Sequence, residues 1–557
     1  MIVNKKIIVF IIFTFVYLSA AAQIEIAPHT YLVYFTDKNN TEYSIYRPEE
    51  FLSEKAIQRR LRFKIPICST DLPVSKKYID ALRNLGFSVL SVSKWLNCAA
   101  IYCKDVEKLK EIQKLSFISN TQISPEKDKE CYFDETSTPH EELPKSKGKN
   151  MSALDYGASA EQVKMLNGHY LHNLGFRGEG VRIAVLDAGF YNVDKSAAFD
   201  SVWTNNQIIV HRDFVEDKKL SFNTSNHGAR VFSILAGNVS GKLVGSAPKA
   251  EYMLLRTEKS ETEYRVEEIY WGEAAEFADS LGADIITTSL GYSEFDEADQ
   301  NYNYSQMDGK TALISQCAEM AFAKGILVVS SAGNEGKLDW KYITAPADAE
   351  NVLSVGAIDR DSVRTGFSSF GPSADGRIKP NVVALGLSTA CWSGHDYLSH
   401  ANGTSFSCPV VAGLAACLWQ AHPNLTNRQI KTAIERSADN FLAPDTLVGH
   451  GVPDFKLAYN QPDTAKTILL PYSNVLNVYP NPFSKYVNIE VYSEIEQEIS
   501  VELYDLLGNK HSSVNFHSMY RSYNRVLIDN INSLQDGIYI VRIKTDNFYY
   551  QEKVLKM

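Results

Sequence analysis

Residues 403–413 read Gly-Thr-Ser-Phe-Ser-Cys-Pro-Val-Val-Ala-Gly, and the apolar run continues through Val410–Trp419 as VVAGLAACLW. Apolar residues on nearly every side mark a helix buried all round. Gly403 and Thr404 supply a turn before it, so Ser405 falls at the helix's N-terminal end, where unpaired N–H groups and a positive partial charge meet a developing anion. Pro409 is tolerated in a first helical turn and places the helix start nearby. A serine hydroxyl becomes a nucleophile only when a base takes its proton and donors receive the oxyanion. A Gly-Thr-Ser turn alone is commonly a simple cap, so the reading needs partners elsewhere in the chain.

Outward from that stretch, from about Tyr156 to Tyr459, apolar runs alternate with helical segments: VRIAVLDAGF, EYMLLRT, ADIITTSLGY, GILVVSSAGN and NVLSVGA. Such a pattern predicts an α/β domain with a parallel sheet covered on both faces, whose functional groups gather at the carboxyl ends of the strands. Asp187 ends one strand and is followed by Ala188-Gly189. His227 opens HGARVFSILAG, a helix whose Gly228 permits close approach. Asn334 ends VVSSAGNEG, where its amide can donate to an oxyanion alongside the N–H of Ser405.

Taken in order, VLDAGF at Asp187, NHGARVFSILAG at His227, SSAGNEG at Asn334 and GTSFSCPVVAG at Ser405 resemble the subtilisin-like serine proteases, the S8 family. The order Asp, His, Ser is the one recorded for subtilisin. The resemblance implies a subtilisin-like three-layer fold with Ser405 as nucleophile, His227 as general base and acid, Asp187 orienting the imidazole, and Asn334 as oxyanion donor. It further implies that Ser289-Leu290-Gly291 and Ser331-Ala332-Gly333 wall the primary specificity pocket and pair with substrate backbone. Neither segment carries an acidic residue, which points to apolar or broad preference. The chain departs from the family pattern at Ala188, Ala229-Arg230 and Phe406-Ser407, none of which removes a reacting group.

The rest of the chain frames this domain. Residues 1–22 show Lys5-Lys6, an apolar core from Ile7 to Leu18 and Ala20-Ala21-Ala22, the order of a secretory signal peptide. No later segment is read as apolar enough to span a membrane. Residues 23–125 alternate short strands and helices as a small α+β domain, with helices expected over 49–62, 75–85 and 106–115. This domain is similar to the inhibitory propeptides of these proteases, implying a zymogen whose own propeptide is an intramolecular inhibitor. Residues 126–155 are charged and punctuated by Pro139 and Pro144, a linker and processing region. A second linker spans 461–474. Residues 475–557 alternate strands with Asn481-Pro482, Leu507-Gly508-Asn509 and Asp536-Gly537 turns, as an antiparallel β-sandwich. Its YPNPF, LYDLLGN, DGIYIVRI and KVLKM resemble C-terminal sorting domains of the type IX secretion system, implying that machinery as a partner and a secreted or cell-surface location.

At 557 residues the chain has room for about three or four domains. A net charge of −10 without a basic block argues against nucleic acid as a partner. Its eight cysteines form no CxxC pair and no zinc spacing; export permits disulfides, their pairing is not legible, and Cys408 and Cys417 read as core residues. No cofactor is expected; calcium is frequent in the family, but no carboxylate cluster has recognisable ligand spacing. The reading that follows is a secreted serine endopeptidase acting on protein or peptide substrates. The alternative from another class is a catalytically inactive, surface-displayed binding protein on the same fold. An α/β-hydrolase esterase is excluded, because Ser407 stands where a G-x-S-x-G elbow requires glycine.

Overall fold

The computed structural model describes residues 24–119, 131–133, 154–460, 473–493, 497–518, 522–545 and 549–557. The expected leader and most of the two linkers lie outside these residues.

A single eight-stranded sheet organises the central domain. Its order is Lys218–Lys219, Ile208–Asp213, Glu251–Arg256, Arg182–Asp187, Ile285–Thr288, Leu327–Ser331, Leu353–Ile358 and Val382–Leu385. Seven strands run parallel, and only Lys218–Lys219 pairs antiparallel, at the edge. The five apolar runs of the sequence supply five of the parallel strands. Ile208–Asp213 escaped notice because it lies near the edge, with only Asp213 fully buried.

Alternating strand residues feed two cores, as the two-residue period of a strand requires. Ile183, Val185, Leu254 and Val329 pack on one face beneath the helices His227–Ala236 and Thr404–Ala421. Ala184, Leu186, Met253 and Val328 pack on the other beneath Val266–Ser280 and Leu313–Ala323. The result is the expected three-layer α/β architecture. Every residue from Thr404 to Trp419 is buried, in agreement with the helix read from its uniformly apolar sequence. Two expectations need correction here. Pro409 lies one turn further into the helix than a first-turn proline, because the helix already begins at Thr404. Thr404–Ala421 is also long and apolar enough to cross a membrane, the one such helix among the described residues, but the fold encloses it.

The N-terminal domain is a five-stranded antiparallel sheet with Thr30–Phe35 and Cys98–Tyr102 at its centre. Tyr31, Val33 and Phe35 on one face meet Tyr78, Ile79 and Leu82 of the helix Lys76–Asn84. Leu32, Tyr34, Cys98 and Ala100 on the other join the core beneath Val266–Ser280. The helix expected over 49–62 divides into a 3-10 turn, Pro48–Glu50, and a helix, Glu54–Phe63, whose cap Ser53 accepts from the Ala56 N–H. Cys68 is disulfide-bonded to Cys131, and the short strands Ile67–Cys68 and Cys131–Tyr132 pair beside that link. The six other cysteines are free and buried, including Cys408 and Cys417 in the central helix.

Buried charge joins this domain to the central one. Arg59 and Arg60 both reach Asp279, Arg60 also bonds Asp71 at 3.0 Å, and Lys324 bonds Asp71 at 2.7 Å. Burial opposes ionisation of Asp71, but Lys324 and Arg60 outweigh it and hold its carboxyl far below the usual range. Glu276 accepts from the Ser93 hydroxyl and from the N–H groups of Lys94 and Trp95, at the turn between two strands of the N-terminal sheet.

At the C-terminal end, a three-stranded and a four-stranded antiparallel sheet share one core, including Val487, Ile489 and Val491 from the first and Val501, Leu503, Val541 and Ile543 from the second. This is the expected β-sandwich.

Candidate active site

The site lies at the carboxyl edge of the parallel sheet. Asp187 is the last residue of its strand and fully buried. Its Oδ1 accepts from the Ala188 N–H at 2.8 Å and from His227 Nδ1 at 2.8 Å. A carboxylate only accepts, so the imidazole proton sits on Nδ1 and leaves Nε2 as the ring's free lone pair.

His227 is the first residue of its helix, and the helix start presses against Asp187. A Cβ on Gly228 would lie 2.9 Å from the Asp187 side chain, so glycine at this position is what allows the approach. The preceding Asn226 is anchored across the cleft rim, accepting from Gly394 N–H at 2.8 Å. Burial works against the imidazolium, but the Asp187 carboxylate outweighs it, and the His227 pKa is raised above the ordinary histidine value.

Ser405 is the second residue of its helix and 7% exposed. Gly403, at φ 145 and ψ 154, occupies backbone space that only glycine visits freely and turns the chain into that helix. The ring of Phe406, next to Ser405, lies 5.9 Å from the His227 ring. The Ser405 hydroxyl donates to the Ser289 carbonyl at 3.3 Å and makes no hydrogen bond to His227. Asn334 is exposed in the loop that follows the Leu327–Ser331 strand. Its Oδ1 accepts from the Thr404 N–H at 2.9 Å and the Thr404 hydroxyl at 3.1 Å, which fixes the amide and leaves Nδ2 as a donor beside Gly403.

The two wall segments follow adjacent strands, Thr288 standing in register with Ser330. Ser289, Leu290, Ser331 and Ala332 are buried, Gly291 is exposed, and the Ser331 hydroxyl reaches the Leu290 carbonyl at 3.5 Å. Gly333 accepts from the Thr404 hydroxyl at 3.1 Å through its carbonyl, tying the second wall to the start of the Ser405 helix.

Comparison with known proteins identifies the domains. Residues 178–451 match the model of the subtilase family, Peptidase S8. The chain carries a subtilase domain of the serine peptidases. Residues 30–140 match the Peptidase S8 propeptide domain of Bacteroidota, and residues 477–557 match the secretion system C-terminal sorting domain. Subtilisin BL of Lederbergia lenta is 29% identical over 289 residues, covering 52% of this chain and 93% of that protein. Subtilisin NAT of Bacillus subtilis subsp. natto is 28% identical over 388 residues, covering 69% of this chain and 86% of the relative. Among solved structures, MycP1 from the ESX-1 type VII secretion system is 23% identical, with a TM-score of 0.43 over 56% of this chain and 89% of that one.

In this subtilase, two features near the site escaped sequence reading, the bond made by the Ser289 hydroxyl and the place of Glu258. The Ser289 hydroxyl donates to the Ser405 carbonyl at 2.9 Å. That carbonyl would ordinarily pair with the N–H four residues on, which is Pro409 and has none. A proline inside the helix was the available signal that a donor had to come from elsewhere. Glu258 lies close enough to the catalytic pair for its charge to act on both Asp187 and His227. No pattern in the loop that carries it revealed this, because the proximity comes from the pairing of Arg256 with Asp187 across the sheet. Among the described residues no three Asp, Glu, His or Cys side chains stand at metal-binding spacing.

Proposed function

We propose that this subtilase is an exported endopeptidase that hydrolyses peptide bonds through an acyl-enzyme on Ser405. The observation that carries this reading is the 2.8 Å bond from His227 Nδ1 to Asp187 Oδ1, which leaves the other imidazole nitrogen free for a proton. Ser405 rotates away from the Ser289 carbonyl so that His227 Nε2 takes its proton as Oγ attacks the scissile carbonyl. The oxyanion is received by the Ser405 N–H and by Asn334 Nδ2, and His227 then hands its proton to the departing amine. Water, deprotonated by the same imidazole, releases the acyl group. Substrate backbone adds as a strand along Ser289–Gly291 and Ser331–Gly333.

On this reading residues 23–125 are the intramolecular inhibitor, the 126–155 region is where the inhibitor is severed, and residues 1–22 begin export that the sorting domain completes at the cell surface or beyond it. One observation favours the inactive alternative, the bond of Ser405 to Ser289 in place of His227. The test is Ser405→Ala. It should abolish both peptide hydrolysis and labelling by a fluorophosphonate while circular dichroism stays unchanged; hydrolysis that survives the substitution rejects the assignment.

A further inference from the structure

The loop that leaves the Glu251–Arg256 strand runs beside the catalytic pair. Thr257 N–H donates to the Asp187 carbonyl at 3.1 Å, and Glu258 follows. The loop then crosses to the segment beyond the first pocket wall: Asp296 N–H donates to the Glu263 carbonyl at 3.0 Å, and Glu263 N–H to the Asp296 carboxylate at 3.2 Å. Tyr292, immediately after Ser289-Leu290-Gly291, is held there by exchanging backbone hydrogen bonds with Ala345 at 2.9 and 3.1 Å. Glu267 follows in the first turn of Val266–Ser280.

This arrangement gathers acidic side chains with only partial resident compensation, from Arg256 and His227 on Glu258 and from the Lys259 N–H on Glu267. Among the described residues, none of Glu258, Glu263, Glu267 and Asp296 stands in an ion pair with a Lys, Arg or His. Of the bases nearby, Arg256 bonds Asp213 at 2.9 Å, the Arg265 guanidinium lies 4.1 Å from the centre of the Tyr302 ring with its buried Nε unbonded, and Lys259 is exposed. Two further groups point the same way. Glu267 is 2% exposed, yet its Oε2 has no hydrogen-bond partner. The Tyr292 hydroxyl, on a residue with no exposed surface, has none either. That hydroxyl lies among carboxylates, since Glu258, Glu267, Glu263 and Glu268 all act on it electrostatically. Buried polar groups without partners are rare and costly, and two of them among carboxylates suit a cation with several N–H groups.

We propose that Glu258, Glu263 and Glu267, with the Tyr292 hydroxyl, receive a basic side chain of the peptide substrate, arginine above all, at a position upstream of the scissile bond. The inference rests on the serine-peptidase reading of the site. A guanidinium offers five donors in a planar fork and suits acceptors spread over several walls; an ammonium offers three. A metal ion fits less well, given the absence of ligand spacing among the described residues. The energetics agree: burial first, then repulsion from Asp187 for Glu258 and from neighbouring glutamates for Glu263 and Glu267, pushes these carboxyls up to about 7, 8 and 10, and a cation among them relieves that repulsion. The charge that neither pocket segment carries is thus supplied by a neighbouring loop and helix.

The test uses the processed full chain, a fluorophosphonate probe, and fluorogenic peptides that differ only in arginine, lysine or norleucine at each of the four positions before the cleaved bond. At one of these positions kcat/KM should favour arginine over norleucine roughly 10- to 100-fold, as charge-assisted hydrogen bonds in a partly buried site provide. Glu267→Gln and, separately, Glu258→Gln should collapse that ratio towards one. Probe uptake with a ratio near one at every position overturns the proposal alone. Failure of the probe to label Ser405 overturns the peptidase reading beneath it. A calcium-dependent rise in Tm that Glu267→Gln abolishes, with no arginine preference, assigns the cluster to a metal ion and also overturns the proposal.

Discussion

The hydroxyl of Ser289 donates to the main-chain carbonyl of Ser405 at 2.9 Å, while the hydroxyl of Ser405 donates to the main-chain carbonyl of Ser289 at 3.3 Å. The first bond compensates for Pro409, and the second holds the hydroxyl that we propose as the nucleophile. Two residues far apart in sequence thereby fix the position of the Ser405 helix against the pocket wall.

Ser289→Ala leaves the buried Ser405 carbonyl without a donor and should cost about 1–3 kcal/mol. Pro409→Ala restores a backbone N–H at the position that carbonyl would use. The double substitution should therefore cost clearly less than the sum of the two singles, read from denaturant midpoints in a double-mutant cycle. Additive costs would show that the Ser289 hydroxyl does not replace the missing N–H.

Asp187→Asn keeps the shape of the site but no longer holds the proton on Nδ1 of His227, and kcat should drop by about 10⁴. The pH profile carries a second readout. The reaction needs neutral His227 as base, so activity is lost as pH falls through its pKa, which Asp187 raises above 6.5. The residual activity of Asp187→Asn should lose its acid limb at a lower pH than the unmodified enzyme, because burial then acts on the imidazole without the opposing carboxylate.

Asn334 serves two ends of one amide, and they can be separated. Asn334→Asp retains an acceptor for the Thr404 N–H but loses the donor, and kcat should fall about 100- to 1,000-fold with KM little changed. A matching fall in Tm would place the effect in the helix start instead of the oxyanion. Steady-state kinetics and a thermal melt on the same preparation decide between them.

Asp279 is the shared partner of Arg59 and Arg60. Its replacement by Ala strands two buried guanidinium groups, and breaking a buried pair typically costs about 3–5 kcal/mol. In a Ser405→Ala precursor that cannot process itself, Asp279→Ala should lower the denaturant midpoint of the joint N-terminal and central unit. An unchanged midpoint would mean that apolar packing alone holds the two together.

Much of this was legible because strand ends announce themselves. Asp187, His227, Asn334 and Ser405 each stand where a hydrophobic run meets glycine or a helix start, and the parallel sheet brings those points to one edge. Five apolar runs gave five strands, but Ile208–Asp213, half-exposed near the edge, had no apolar run to show. What stayed hidden depends on register and turn. The reach of Glu258 follows from Arg256 lying opposite Asp187, the hydroxyl of Ser289 matters only because Pro409 falls within a helix begun at Thr404, and the Cys68–Cys131 pairing needed the strands Ile67–Cys68 and Cys131–Tyr132 to meet. The expectation of a first-turn proline erred for a related reason: sequence shows where a helix is apolar, not which residue opens it.

The bond between Cys68 and Cys131 bridges 63 positions of sequence. A nick anywhere between residues 69 and 130 severs the backbone but not the molecule; both fragments stay on one sulfur leash. Only a nick beyond Cys131, or a thiol that opens the bridge, lets the inhibitor drift off. On the proposed reading of residues 23–125 as the inhibitor, maturation is gated by where the knife falls, with one side of a single cysteine giving a tethered guard and the other an unguarded enzyme.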